Sequence, residues 1–398
     1  MIHYFNPDHE TAILNASKHY QPPEHVFKIQ TDLAFLPAWY ASEGDFVFME
    51  NQLPYDFIES LESLNLCVKS VNQGDFSDNR KMFQDSTIEP WGISPQCIHF
   101  FEKLNLQWNL SLVIPQWKED YRFLGSRFAS QQLLAGLLDR ISGIEKEILP
   151  HFVSDIETIE QITVQSQEPL LIKSPYSSSG RGLLRLAPGK LAKSEKQIIS
   201  GMLKKQKQVS IEKLLDKHLD FSMQFECTAN GGTNFIGYSI FKTNDKGAYQ
   251  KSLLDNQGNL EKQITKYISK DLLFQTRKVI AEKIQEMYAP FYSGIIGIDM
   301  LIYKAGDLFR LHPCVEINMR KTMGYLAVRL TEKHLHPDSQ GELIIDYNPD
   351  PQTVIHKHKN LQLHYPLIVE KGLIRSGYLS LCPVAELMKY MAYVIRSP

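Results

Sequence analysis

Late in the chain, two apolar runs carry acids where buried strands usually have none. Gly294 to Tyr303 and Leu308 to Ile317 read as β-strands separated by Lys304-Ala305-Gly306-Asp307, a sequence suited to a tight turn. Asp299 interrupts the first run in Gly297-Ile298-Asp299-Met300-Leu301. Glu316 interrupts the second, and Asn318 and Arg320 continue its alternation. Successive strand side chains point to opposite faces, so Glu316, Asn318 and Arg320 are expected on one face, with Asp299 joining them from the neighbouring strand. Two carboxylates and an amide oxygen are hard ligands, suited to Mg²⁺ held against nucleotide phosphates. The plainer alternative is a salt-bridged, exposed sheet face with Arg320 as counter-ion. Against it stands the rarity of acids inside such apolar runs.

A second charged interruption lies upstream. Pro169-Leu170-Leu171-Ile172-Lys173 is a short apolar run closed by a lysine, followed by Ser174-Pro175-Tyr176-Ser177-Ser178-Ser179-Gly180-Arg181-Gly182 and another apolar run, Leu183 to Leu186. The expected order is strand, flexible polar loop, strand. Small hydroxyls and glycines let the backbone approach an anion closely, which is one way to cradle a phosphate. The loop does not match GxxxxGK[ST], since no lysine follows Gly182, and it leads into a strand where a P-loop or GxGxxG fingerprint requires a helix. An ordinary surface hairpin is the bland alternative. A lysine at a strand end is costly unless its ammonium meets a carboxylate, a phosphate or water, so Lys173 is either half of a structural ion pair or a ligand-facing cation. Val209 to Glu212 and Phe221 to Thr228 read as further strands. Glu212 and Asp220 flank Leu214-Leu215 at what reads as a strand-to-helix hinge, where a carboxylate either binds a ribose hydroxyl or is simply solvated.

Up to about residue 120, short apolar runs alternate with amphipathic stretches, as in Asp45 to Met49 for a strand and Tyr55 to Leu64 for a helix, which is α/β texture. Glu89-Pro90-Trp91-Gly92 and Ile114-Pro115-Gln116-Trp117 are breaker clusters, and a domain boundary is placed near residue 120. Beyond it, helical periodicity over Phe128 to Ile144 and Leu272 to Tyr288, the Asn230-Gly231 hairpin signal and a strand at Phe235 to Phe241 describe an antiparallel meander with helices inserted. Tyr325 to Leu330 and Val384 to Val394 read as helices in a C-terminal region of open role. With 398 residues, 43% hydrophobic and 22% charged, the composition is that of a globular chain of two or three domains. The 43 Lys and Arg against 45 Asp and Glu leave a formal charge of −2, so no global field draws nucleic acid or an anionic membrane. The five widely spaced cysteines, Cys67, Cys97, Cys227, Cys314 and Cys382, fit neither a disulfide framework nor a zinc CxxC. With no secretory pattern at the N-terminus and no run of about 18 apolar residues, the expectation is a soluble cytoplasmic protein.

Taken in order, Lys173, the Ser177 to Gly182 loop, Ile211-Glu212-Lys213-Leu214-Leu215, Asp299 and Glu316-x-Asn318-x-Arg320 resemble the ATP-grasp superfamily over roughly residues 121 to 325. The order is more specific than any one element. The resemblance implies an α/β and α+β architecture: a pre-ATP-grasp α/β domain at 1–120, ATP-grasp N-terminal and C-terminal subdomains at 121–208 and 209–325, and 326–398 as an extension or the completion of the second subdomain. Lys173 resembles the family lysine that contacts the α- and β-phosphates and the adenine side. Ser177, Ser178, Ser179, Gly180 and Gly182 resemble the mobile loop over the phosphates. Glu212, Lys213, Leu214 and Leu215 resemble the adenine-binding hinge, and Asp220 stands in for the ribose-binding acid. Arg127, in Gly125-Ser126-Arg127-Phe128, takes the place of an earlier basic residue that is more often lysine. Asp299, Glu316 and Asn318 match the magnesium ligands, with Mn²⁺ as a substitute ion.

Arg320 resembles the arginine after the Glu-x-Asn motif of biotin carboxylase, which faces the carboxyphosphate. Gly297 stands where the D-alanyl-D-alanine ligase branch has a catalytic arginine, so that branch's substrate chemistry does not transfer. Asn6-Pro7-Asp8-His9-Glu10 and Glu89-Pro90-Trp91-Gly92 resemble an uncharacterised bacterial ATP-grasp group. Asn6, His9 and Glu10, near the end of a first strand, are therefore candidate substrate contacts together with Arg320. The activity implied is ligation of a carboxylate to an amine or thiol through an acyl phosphate, with ADP and phosphate released and Arg320 and Lys173 as catalytic groups. A small-molecule kinase on the same fold and a non-catalytic nucleotide-binding regulatory protein stay open. The partners implied are small molecules and neither nucleic acid nor membrane, and a homodimer is compatible with them.

Two further features carry less. His356-Lys357-His358 is expected to put two imidazoles on one strand face, and His334 and His336 repeat the spacing, but no third ligand accompanies them. The six lysines from Lys190 to Lys207 read as a solvated helix face.

Overall fold

A computed structural model describes residues 1–398 except 65, 67, 178–181, 246, 397 and 398. The chain forms two compact units, one of residues 1–118, 250–260 and 320–398, the other of 119–249 and 261–319.

The first unit opens with four short apolar strands, β1 (Ile2–Tyr4), β2 (Phe46–Phe48), β3 (Lys69–Val71) and β4 (Ile88–Pro90). They form a parallel sheet in the order β3-β2-β1-β4, with His3 between Val47 and Glu89. A parallel sheet needs its faces covered. The helix Pro95–Trp108, capped by Ser94 and started by Pro95, packs Phe101 and Leu104 against Ile2, Phe48, Phe76 and Phe83.

The same unit holds an antiparallel set of β11 (Tyr249–Leu254), β14 (Gly341–Tyr347), β17 (Tyr390–Arg396), β16 (Leu373–Ser380) and β15 (Ile368–Glu370), paired in that order. Here two expectations are corrected. Val384 to Val394 is not a helix. It is a turn leading into β17, whose Tyr390, Tyr393, Val394 and Ile395 favour a strand with partners on both sides. His356 and His358 lie on the helix Pro351–His364, which Asp350 caps and Pro351 starts. At about 100° per residue, two positions apart point to different sides of that helix. Among the described residues, no cluster of three or more His, Cys, Asp or Glu could hold a metal ion.

The second unit contains a small sheet, β5 (His151–Val153), β8 (Val209–Lys213), β6 (Leu170–Lys173) and β7 (Leu183–Leu186), in that spatial order. A larger antiparallel run pairs β13 (Leu308–Asn318), β12 (Gly294–Ala305), β9 (Asp216–Cys227) and β10 (Thr233–Thr243). Strand β8 passes to β9 through Leu214-Leu215 alone, so the hinge joins two strands and not a strand to a helix. Alternation splits the large sheet into two faces. Phe221, Met223, Phe225, Ile296, Ile298, Met300 and Ile317 are buried on one. The register sets Ser222, Asp299 and Glu316 side by side on the other, with Gln224, Gly297 and Asn318 as the next row.

Cys97, Cys227, Cys314 and Cys382 are buried free thiols. No helix among the described residues is long and apolar enough to cross a membrane.

Candidate functional site

The polar face of the large sheet is held in a defined geometry. Asn318 Nδ2 donates to Asp299 Oδ2 at 3.1 Å, and Glu316 Oε2 lies 3.1 Å from an Arg127 guanidinium nitrogen. Arg127 begins the helix Arg127–Leu138, and its backbone N–H reaches the Pro175 carbonyl. Its side chain also donates to the Ser174 carbonyl at 3.1 Å and to Ser177 Oγ at 3.3 Å. One guanidinium therefore ties an acidic sheet face to the start of the Ser/Gly loop. The loop closes where the Ser174 N–H meets the Gly182 carbonyl at 2.9 Å. Gly182 has φ +69°, and a Cβ there would lie 2.9 Å from Ser174 Oγ, so both conformation and space require glycine. Ser178, Ser179 and Gly180 fall outside the described residues.

Lys173 ends β6 directly opposite Ser210, and its ammonium pairs with Glu212, two residues along β8 on the same face. Only 5% of Lys173 is exposed, so the pair is buried. It lines a recess of about 10 Å³ together with Arg127, Ser130, Ser210 and His312. Among the described residues, Ser210 Oγ and His312 Nδ1 are buried there without a hydrogen-bond partner. Burial, with the nearby Lys173 ammonium, pushes His312 down to about 3, so the ring is neutral. Neutral imidazole, hydroxyl, ammonium and guanidinium groups around one recess suit a ligand with ring nitrogens and anionic oxygens. A space of this size holds about one water, so a nucleotide requires its walls to part.

The remaining expected contacts are less concentrated. Lys213 pairs with Glu168 at 2.9 Å, and the Leu214 N–H is taken by the Pro169 carbonyl, while nothing beyond position ties Leu215 to the recess. Asp220 shares the polar sheet face, and its carboxylate is met by Lys217 at 2.6 Å and Thr243 at 3.3 Å.

Arg320 departs from the expected alternation. Strand β13 ends at Asn318, and Arg320 belongs to the first unit, where its guanidinium bonds Glu10 and the Lys321 carbonyl. Burial alone would raise the Glu10 carboxyl, but Arg320 and His9 outweigh it and hold it below its usual range. His9 Nε2 bonds the Ile93 carbonyl at 3.0 Å, and burial pushes the ring down to about 4. Asn6 donates to the Gly92 carbonyl at 2.7 Å and accepts from the Gly92 N–H at 3.1 Å, so its amide is used by backbone. Beside this cluster, Lys321 is buried against Glu89, the Pro90 carbonyl and the Tyr40 ring.

Sequence reasoning missed Ser210, His312 and Lys321. Ser210 was within reach, since it lies two residues before Glu212 on the same strand face. His312 lies an even four residues before Glu316, and the register shift between Asp299 and Leu301 keeps that parity, so alternation puts it on the same face; that its Nδ1 has no partner among the described residues is what no local pattern shows.

No family model matches the chain, and neither does any curated protein sequence. Among solved structures, the biotin carboxylase domain of Hydrogenobacter thermophilus 2-oxoglutarate carboxylase, in complex with MgADP, ADP and bicarbonate, is similar over 100% of this chain and 86% of its own, with TM-score 0.51 and 11% identity. The N5-carboxyaminoimidazole synthetase of Staphylococcus aureus, complexed with ADP, matches 100% of this chain and 92% of its own at TM-score 0.50 and 11% identity. A biotin carboxylase complex with β,γ-ATP from Campylobacter jejuni matches 100% and 87% at TM-score 0.50 and 10% identity. At such identity the likeness is one of fold.

Proposed function

Because this chain has the ATP-grasp fold, with a parallel pre-ATP-grasp sheet ahead of it, we propose that it is an ADP-forming ligase that activates a carboxylate with ATP and passes the acyl group to an amine or thiol. The observation that carries this reading is the convergence of Asp299, Glu316 and Asn318 on one sheet face beside Arg127, next to a recess holding Lys173. Two carboxylates and an amide oxygen fit Mg²⁺ as hard donors, and would hold it where it neutralises phosphate charge. Arg127 and Lys173 supply further positive charge for the nucleotide phosphates.

In the reaction a carboxylate oxygen bonds to the γ-phosphorus as the bond to the β-phosphate oxygen breaks, releasing ADP. The amine or thiol then forms its bond to the acyl carbon as phosphate leaves with the electron pair of the carbon–oxygen bond, and the nucleophile's N–H or S–H proton passes to the departing phosphate or to water. Arg320, whose Nε bonds the Glu10 carboxylate within its own unit, is proposed to pair with the substrate carboxylate, for which a guanidinium offers a bidentate fork. The Glu212 to Leu215 hinge, Asp220 at the ribose, closure of the Ser177 to Gly182 loop, the subdomain division at residues 208 and 209, and a cytoplasmic location belong to the same proposal.

Glu316→Gln keeps the shape of the side chain and removes its charge. It should lower carboxylate-dependent ATP turnover by about a thousandfold or more. Unchanged turnover would remove the metal assignment. Product analysis separates ligase from kinase: an amide or thioester with ADP and phosphate supports the proposal, and a stable phosphoester with ADP overturns it.

A further inference from the structure

In open α/β sheets, ligands bind outside the carboxyl ends of the strands, commonly where the strand order reverses. In the parallel sheet that reversal falls between β1 and β4, and the chain fills it with its own groups. Asn6 bridges to both sides of Gly92, and a Cβ on Gly92 would lie 2.4 Å from His9 Cδ2. The open space is one strand over.

A cavity of about 220 Å³ lies at the carboxyl ends of β1 and β2. Tyr4, Phe48, Met49 and Met388 give it apolar walls, and the Tyr4 and Phe48 rings meet edge to face at 5.8 Å. Its volume is below the roughly 300 to 1,000 Å³ of drug-sized sites, which suits a small metabolite. The roof is the segment Pro383 to Met388, anchored at both ends. Trp39 Nε1 donates to the Leu381 carbonyl at 2.7 Å, and the buried Asp32 carboxylate accepts from the N–H groups of Lys389 at 2.8 Å and Tyr390 at 3.1 Å. The C-terminal region, whose role the sequence left open, thus closes a cavity of the first unit.

The charge of the lining has one sign. It includes Glu50 and Glu386 and, among the described residues, no Lys, Arg or His. The Tyr4 oxygen accepts from Gln30 Nε2 at 2.5 Å, leaving the phenol's own proton to donate. Burial, with the Glu50 carboxylate also nearby, opposes loss of that proton. An anion here would meet two carboxylates and no compensating cation.

We propose that this cavity binds a small cationic amine carried on an apolar body the size of one aromatic ring, the body between Tyr4, Phe48 and the two methionines and the ammonium at the Glu50 and Glu386 rim. This inference stands apart from the nucleotide reading and holds or fails by itself.

The test uses the full chain carrying ¹³C-methyl methionine, titrated with 2-phenylethylamine, 2-phenylethanol and phenylacetate. The Met49 and Met388 methyl signals, assigned through Met49→Leu and Met388→Leu, should move saturably with the amine at about millimolar affinity, as befits a fragment. Phenylacetate should bind about tenfold more weakly, and Glu50→Gln with Glu386→Gln should cost the amine a similar factor. Both glutamates are exposed, so the double variant keeps the fold. Absence of saturable shifts overturns the site. Equal binding of the alcohol or the acid, or indifference of the double variant, overturns its charge preference.

Discussion

Each unit of this protein buries an acid–base pair beside a histidine with an unpartnered ring nitrogen, and the two neighbourhoods treat that histidine differently. In the first unit, Glu10 pairs with Arg320 while His9 bonds the Ile93 carbonyl and packs on Gly92, which Asn6 stitches in place. In the second, Glu212 pairs with Lys173 while His312 shares a recess with the unpartnered Ser210 hydroxyl. A buried ion pair alone says little about purpose, because its desolvation cost can match its attraction. What separates these two is the use of the surrounding polar atoms. Around His9 the backbone takes the ring's Nε2 and the Asn6 amide, and His9 Nδ1 and Glu10 Oε2 are left without a partner among the described residues; around His312 the Ser210 hydroxyl and the ring's Nδ1 are left without one and line a recess. The first arrangement is tied to backbone through His9 and Asn6, and the second lines a recess.

The largest effect that would break this comparison comes from Arg320→Met. It leaves the Glu10 carboxyl buried without its counter-charge, which should cost about 3 to 5 kcal/mol in denaturant unfolding. Adding Glu10→Gln should recover most of it. A stable Arg320→Met chain would mean that the pair does no structural work. Next in size, Lys173→Ala should abolish the stabilisation by Mg²⁺ and ATP, about 2.7 kcal/mol at a ligand concentration of 100 times its dissociation constant. Thermal shift reads this directly. A shift that survives in Lys173→Ala, or is missing in the wild type, would take the recess out of the nucleotide site. Gly92→Ala should cost about 1 to 3 kcal/mol through overpacking against His9, with the nucleotide shift retained.

The contrast was only half legible in the sequence. The acidic sheet face was readable because strand alternation is strict: Asp299 and Glu316 do stand opposite each other, and the apolar residues between them do face the other way. Arg320 was misplaced because alternation says nothing about where a strand stops, and β13 stops at Asn318. Val384 to Val394 was misread because an apolar run without turn signals fits helix and strand equally, and only the flanking strands β14 and β16 decide it. The unpartnered Ser210 and His312 are a tertiary property, since a side chain's lack of a partner depends on every element packed around it. For the same reason no local pattern announced that residues 250–260 and 320–398 join the first unit.

The smallest effect expected is a slope against pH, and it sharpens the comparison because both histidines contribute to it. His9 is depressed to about 4 and His312 to about 3, against about 6.5 in an unfolded chain. Between those values the unfolded chain binds a proton that the folded one refuses. The stability each neutral ring contributes is therefore complete above about pH 6.5 and lost as pH falls towards about 4 for His9 and about 3 for His312, at no more than about 1.4 kcal/mol per pH unit for each histidine. Unfolding in urea at pH 7, 6 and 5 measures it. His312→Gln should flatten the acid slope by about one histidine's share with little change at pH 7, since its ring nitrogen Nδ1 has no bond to lose. His9→Gln should flatten the slope as much but lower stability at every pH, because the Ile93 bond and the packing on Gly92 go with the ring. Two variants with the same loss at pH 7 would erase the distinction between a histidine that holds a loop and one that faces a recess.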